Sequence, residues 1–257
     1  MSQKLDFKTS VSGHGQHDLE LRGIPLTTLI GEANFVSTLF LSVTGKKPTA
    51  AEEKVLNALL VGAIDHGIDP ASGFVPRVVA SSGNDVLTCM ASSLLALGPY
   101  HGGAITGAME VLKAVDEYSE DTEAGATWLV KTYRADKKRI PGFGHPVYTK
   151  KDPRTEQLFI LARNAGLDIH YINIAKQIAS VLEAELLKPL VINIDGALAA
   201  LLMAMKIDPL AGNALFGVAR VAGSIAHIVE EQRSGDWVRR LPDGAVSYAP
   251  DTQKTQK

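Results

Sequence analysis

The chain has 257 residues, 21% of them charged, and a formal net charge of −2, so no polybasic surface points to nucleic acid or an anionic membrane. That length supplies a sizeable core, as one large domain or two that share an interface. The one cysteine, Cys89, excludes an internal disulfide framework and fits a reducing cytoplasm, and its neighbours Leu87, Met90 and Leu94 predict a buried, inert thiol. At the start of the chain Lys4, Asp6 and Lys8 stand where a signal peptide would need an apolar run, so a cytoplasmic location is expected.

In chain order, loose alternation through Leu5, Phe7, Thr9 and Val11, then Leu19 and Leu21, around Gly13-His14-Gly15, predicts a hairpin. From there the period becomes helical. Thr49 followed by Glu52 predicts a capping box, and behind it Val55, Leu56, Leu59, Leu60, Ala63 and Ile64 line one face. Similar faces appear around 84–97, 104–115, 122–134, 153–165, 172–187, 196–206 and 212–231, the last rich in Ala and Gly. Ala245-Val246-Ser247-Tyr248 reads as a short strand, and 250–257 as a frayed polar tail. Two uncharged stretches, 86–109 and 189–205, have the length of membrane spans. Gly98-Pro99 and Gly102-Gly103 break the first, and Asp195 sits in the second, where a charge in lipid costs about 2.5–3.5 kcal/mol. Both are expected to be buried helices of a mainly α protein.

Three places join turn glycines to an acid–base group. His101 lies in Gly98-Pro-Tyr-His101-Gly-Gly103, where it is either a helix cap or an imidazole held neutral by the helix dipole. His145 follows Pro141-Gly142-Phe143-Gly144, and Arg154 closes the same stretch with a planar fork suited to a carboxylate. Asp195 follows Val191-Ile-Asn-Ile and reads both as an N-cap for a helix from Gly196 and as a desolvated general base. No metal site is expected: no histidine pair stands at i, i+4 on a helix, and His14 and His17 share a solvated turn. Gly142-Phe-Gly144 is followed by His-Pro rather than a helix start, so it is no dinucleotide fingerprint.

The string from Pro141 to Arg154 resembles the signature of the citrate synthase superfamily, and the resemblance extends over nearly the whole chain. Arg22-Gly23 resembles the family's Arg-Gly segment, and Thr44-Gly45 through Pro48-Thr49 its Thr-Gly-x-x-Pro-Thr. The resemblance implies a helical fold with a large domain (1–103 and 200–257) and an inserted small CoA-binding domain (104–199). His101, His145 and Asp195 would be catalytic. His66, Arg154, Phe216, Arg220 and Arg240 would bind substrate, with Arg240 reaching a neighbouring subunit and Arg239 as the alternative one register away. Pro141, Gly142, Phe143 and Gly144 would hold coenzyme A through their backbone, with Lys150 and Lys151 near its phosphates; solvated lysines are the other reading, because the family's usual basic position is Thr149 here. Coenzyme A would be a thioester substrate, with no permanently bound cofactor. A homodimer with shared sites and a citryl-CoA synthetase partner would follow.

The set suits the chemistry. Joining or splitting an acetyl thioester and a keto acid requires a base at the methyl carbon, a donor for the enolate oxygen and an acid at the ketone. Arginine forks then hold the carboxylates. Asp65-His66-Gly67 and Ser72-Gly73 resemble the short citryl-CoA lyases and the C-terminal module of ATP-citrate lyase, whereas ordinary citrate synthases are longer and follow this histidine with Glu and Asn. The ATP-citrate lyase module lacks the histidine matched by His101. Citryl-CoA cleavage to acetyl-CoA and oxaloacetate is therefore the leading expectation. A compact citrate or 2-methylcitrate synthase is the alternative, and a non-catalytic acyl-CoA-binding helical scaffold is the reading from another class.

Overall fold

The computed structural model describes residues 7–15, 18–145 and 148–248. Leu5, His17 and the 250–257 tail therefore lie outside the described residues. A three-stranded antiparallel sheet, β1 (Ser12–His14), β2 (Leu19–Leu21) and β3 (Ile24–Pro25), opens the chain. The hairpin pairs Ser12 with Leu21 and His14 with Leu19, so its first strand begins after Val11 and Gly13 lies inside it. Arg22 ties this sheet to the helical body: Nε and Nη2 both donate to the Ser42 carbonyl, at 3.1 and 2.8 Å.

Eleven α-helices follow among the described residues: α1 (Leu26–Glu32), α2 (Phe35–Thr44), α3 (Ala50–Ala63), α4 (Ala71–Ser81), α5 (Val86–Leu95), α6 (Ile105–Tyr118), α7 (Thr122–Ala135), α8 (Pro153–Asn164), α9 (His170–Leu186), α10 (Ile194–Ala204) and α11 (Gly212–Ser234). Their starts are written in short polar side chains. The Thr49–Glu52 capping box opens α3, Asn34 and Ser37 form a second box on α2, and Asp85, Asp121 and Asp152 cap α5, α7 and α8. The strand expected at 245–248 does not form: among the described residues that segment pairs with no strand, and Val246 and Tyr248 stay exposed.

Helix α4 hides from periodicity because Pro76 sits inside it. Proline has no N–H to give the carbonyl four residues back. That carbonyl belongs to Ser72, and the Ser93 hydroxyl of α5 donates to it at 2.9 Å instead. Helix α10 is buried continuously from Gly196 to Met203, as an all-apolar helix must be, and packs against α6, α8 and α9. On the other side α4, α5 and α11 pack together, with Cys89 fully buried and its thiol pKa pushed up by burial. The site described next lies where the N-terminus of α10 meets the 98–103 and 141–145 turns and α11.

Candidate active site

The 141–145 turn is built on glycine. Gly142 and Gly144 have φ of +88° and +89°, a region that costs L-residues a steric penalty. A Cβ on Gly142 would meet Gly196 Cα at 2.9 Å, and one on Gly196 would meet the Gly142 carbonyl at 2.4 Å. The loop thus rests directly on the first turn of α10. Gly144 N–H donates to Val191 O, Asn193 N–H to Gly142 O, and Asn193 Nδ2 to Gly144 O, at 2.8, 3.1 and 2.9 Å. His145 and Asp195, distant in sequence, become one rigid unit.

Asn193, not Asp195, caps α10: its side chain accepts from Gly196 N–H at 3.1 Å. The cap reading of Asp195 is therefore corrected. The aspartate occupies the first turn, and among the described residues its carboxylate makes no hydrogen bond. Burial pushes its pKa above the usual carboxylate value, and Arg154 and Arg220 pull it back only in part.

His101 is likewise no cap, since α6 starts from Ala104 without a side-chain bond. It is held by a reciprocal backbone pair with Gly98 (2.9 and 2.8 Å), and Gly103 lies so close that a Cβ would come within 2.4 Å of Gly98 O. Burial, then the charges of Arg220 and His66, hold this imidazole below its ordinary pKa. The depression expected from a helix dipole comes mainly from desolvation instead.

Ser72 was not singled out as a site residue in the sequence, yet it organises this corner. Fully buried, its hydroxyl lies 2.8 Å from His101 Nε2 and accepts from Arg220 Nη1 at 2.8 Å. Its own N–H points at the same ring nitrogen, at 3.4 Å. A backbone N–H can only donate, so Nε2 is the acceptor and the imidazole proton sits on Nδ1. The signal available in the sequence was only a Ser-Gly pair. Ser72→Ala removes one oxygen but leaves the buried guanidinium short of an acceptor, so it should destabilise the fold by about 1–3 kcal/mol, measured by urea unfolding. Because the backbone N–H at 72 survives the change, His101 should keep its Nδ1–H tautomer, which imidazole nitrogen shifts would show.

Arg220 is 7% exposed; its Nε donates to Ala63 O at 3.1 Å and its guanidinium lies 4.8 Å from the Phe216 ring centroid. Among the described residues it has no salt-bridge partner, and burial lowers its pKa. Arg154 is committed along one edge: Nε and Nη2 grip the buried Asp152 at 3.0 and 2.7 Å, leaving Nη1 for a ligand. His145 Nδ1 accepts from Tyr148 N–H at 3.0 Å. Burial lowers its pKa, Asp152 opposes that, and Arg154 and His66 add to it.

One cavity of about 250 Å³ gathers these groups: His66, His101, Gly144, His145, Arg154, Asp195, Phe216 and Arg220 all line it. Two neutral imidazoles and a proton-hungry carboxyl face two guanidinia there, an arrangement for moving protons on a ligand with more than one carboxylate. The remaining expected residues lie elsewhere. Arg240 is in a groove with Ile68, Phe74 and Arg77. Its neighbour Arg239 is bound to the buried Glu231 at 2.5 Å, whereas Arg240 makes no ion pair among the described residues, so Arg240 is the available arginine of the two. Lys150 and Lys151 border a separate hollow, and Lys151 pairs with Glu156 at 3.5 Å. The larger cavity beside His145, about 570 Å³, is lined by Phe143, Gly144, Arg134, Lys138, Arg139 and Lys188. Sequence reading missed those four cations, which come from the last turn of α7, the segment that follows it and the segment after α9. Pro141 touches neither cavity and packs near Gly107.

The family described as citrate synthase, C-terminal domain, matches residues 14–241. "Putative citrate synthase 2" of Mycobacterium tuberculosis is 31% identical over 215 residues, covering 82% of this chain and 56% of that protein. "Citrate synthase 2" of Bacillus subtilis is 30% identical over 225 residues, again 86% against 56%, so the chain spans about half the length of the curated relatives it matches. Among solved structures, citryl-CoA lyase from Hydrogenobacter thermophilus has a TM-score of 0.89 and 34% identity, covering 98% of this chain and 97% of that one. ATP citrate lyase from Methanosaeta concilii, at 22% identity, a TM-score of 0.85 and 98% and 43% coverage, shares the fold. On the family match, the helical architecture and these relatives together, the chain belongs to the citrate synthase family.

Proposed function

We propose that this chain is a citryl-CoA lyase-type enzyme, cleaving citryl-CoA to acetyl-CoA and oxaloacetate. The observation that carries the reading is end-to-end agreement with a citryl-CoA lyase at 34% identity, 98% of one chain against 97% of the other, where the two curated citrate synthases are about one and a half times as long. In this mechanism Arg220 and the free edge of Arg154 hold substrate carboxylates, with His66 and Phe216 completing the wall. His145 accepts the proton of the citryl hydroxyl at Nδ1, giving up the Tyr148 N–H bond that this nitrogen accepts in the free protein, as the bond between the carbinol carbon and the thioester methylene breaks. The electron pair passes to the thioester as an enolate, whose oxygen receives a hydrogen bond from His101 Nδ1–H. Asp195, protonated at that stage, delivers its proton to the enolate carbon, and Asp195 and His145 reset through solvent.

The 570 Å³ cavity, which meets the smaller one at Gly144 and His145, is the place for coenzyme A: apolar walls from Leu182, Leu186 and Leu190 suit the adenine and pantetheine, and cations suit the phosphates. Arg134 is engaged by Glu185 and Lys138 by Asp136, while Arg139 and Lys188 have no ion pair among the described residues. Arg139→Ala with Lys188→Ala should therefore raise KM for citryl-CoA about tenfold with kcat little changed, and Lys150→Ala with Lys151→Ala should raise it less. Steady-state kinetics of the two pairs decides between the assignments.

The proposal includes hinge closure between a large domain (1–103 and 200–257) and a small one (104–199), because the catalytic cavity draws His66, His101 and Arg220 from one and His145, Arg154 and Asp195 from the other. It also includes a cytoplasmic homodimer. Phe74 of α4, Leu87, Leu94 and Leu95 of α5, and Val218 and Ile225 of α11 are exposed on the elements that adjoin Arg240's groove, an apolar surface suited to a second copy. A citryl-CoA synthetase would supply the substrate. The second reading, a compact citrate or 2-methylcitrate synthase, is favoured by the retained His101 and by the names of the curated relatives. Incubating purified protein with citryl-CoA separates the two: acetyl-CoA and oxaloacetate support the lyase, free CoA and citrate the synthase, and no turnover in either direction would leave the scaffold reading.

A further inference from the structure

Helix α11 does more than carry Arg220. Three of its residues on one face, at 220, 223 and 227, each meet one of three consecutive residues at the end of α3. Arg220 Nε donates to Ala63 O at 3.1 Å. Gly223 faces the next carbonyl, that of Ile64, so closely that a Cβ there would lie 2.0 Å from the oxygen. His227 Nε2 is 3.0 Å from Asp65 Oδ1, and the imidazole side chain is only 17% exposed. The following residue is His66, which lines the catalytic cavity.

The backbone N–H groups of His66 and Gly67 also lie near enough to the Asp65 carboxylate to lower its pKa. Burial acts to raise its pKa, but the His227 bond and then these two amides outweigh it, so the carboxyl stays ionised. Gly67, at φ +77°, turns the chain back, and its carbonyl lies 2.4 Å from where a Cβ on Gly73 of α4 would be. The chain at His66 is thereby gripped by α11 before the residue and by α4 after it.

We propose that His227 is a positioning residue for His66: through the Asp65 carboxylate it fixes the backbone that presents the His66 side chain to bound substrate. Neither Asp65 nor His227 borders the cavity, so neither touches substrate. A packing role for His227 would be satisfied by any ring of similar size, whereas positioning requires a donor where Nε2 stands. Glutamine places an amide nitrogen near that point; phenylalanine fills the space without a donor.

The inference rests on the proposed reaction, so its test has two readouts. In the free protein, labelled at histidine, His227→Phe should shift the His66 ring resonances and broaden them, and His227→Gln should restore them. In turnover of citryl-CoA, His227→Phe should raise KM about tenfold with kcat changed much less, the loss of one charge-assisted hydrogen bond acting through substrate placement. His227→Gln should recover most of it, and Asp65→Asn combined with His227→Phe should be no worse than either alone. A wild-type protein that does not turn over citryl-CoA would sink the reaction and leave the resonance readout standing. Unchanged His66 resonances in a folded His227→Phe protein, or a glutamine variant as impaired as the phenylalanine one, would overturn the positioning role.

Discussion

Asp195→Asn should lose about 10²–10⁴-fold in kcat, the usual worth of a general acid–base group, while becoming more resistant to heat. Both effects share a cause: burial without a hydrogen bond raises the pKa of this carboxyl. A carboxyl whose folded pKa exceeds the unfolded value of 3.8 adds nothing to instability below that value, where both states are protonated. As pH rises from 3.8 to the folded pKa, the unfolded chain ionises while the native carboxyl resists, and stability is lost; above the folded pKa the native state carries the desolvated charge and the loss is complete. An amide carries none, so the variant's melting temperature should exceed that of the wild type at pH 7, and the gap should close as pH falls towards 4. Exchange of acetyl-CoA methyl protons with D₂O, in the presence of an oxaloacetate analogue, should cease. Near-normal exchange in a folded variant would remove Asp195 from the mechanism. Because Asn193 is the cap of α10, no loss of helix can be blamed for the result.

Arg220→Met should abolish tight binding of the keto-acid portion of the substrate. Removing one member of a buried, hydrogen-bonded charge pair costs about 2–5 kcal/mol, or roughly 30-fold to several thousand-fold in affinity for oxaloacetate by calorimetry. The hydrogen bonds lost at Ala63 O and Ser72 Oγ are offset by no longer burying a charge that has no ion-pair partner among the described residues, so the net effect on the fold should be small. Lysine should rescue only in part, because Ala63 O and Ser72 Oγ together demand two donors in fixed directions. The pH profile gives a second check. Arg220 is one of the charges holding His101 below its ordinary pKa, after burial itself. In Arg220→Met the His101 titration should move up towards 6.5, carrying the acid limb of activity with it. Unaltered oxaloacetate affinity would assign the carboxylate to another cation.

Much of this was legible in the sequence for identifiable physical reasons. Apolar spacing marked α3 and α5 to α11, because a helix face that must be buried repeats every three to four residues. The Thr49–Glu52 box and the glycines at 142 and 144 were readable because each answers to local backbone geometry. Helix α4 escaped: Pro76 forbids it locally, and the Ser93 hydroxyl that compensates comes from another helix. The expected strand at 245–248 did not form, because alternation alone does not make a strand and no partner edge lies beside it among the described residues.

For the site, the sequence by itself determined the residue types: two histidines and an aspartate among turn glycines, and arginines suited to carboxylates. Only tertiary structure decided their states and company. Whether Asp195 or Asn193 capped α10 depended on which side chain faced the Gly196 amide. Whether Arg239 or Arg240 was available depended on Glu231, a residue on α11 to which only folding brings Arg239. The cations beside His145 come from Arg134–Arg139 and Lys188, which a linear reading ranks no higher than Lys150 and Lys151. The reason is general. A residue's type and local turn are set by its immediate neighbours, but its pKa, its tautomer and its free hydrogen-bonding edges depend on desolvation and charge supplied from remote segments.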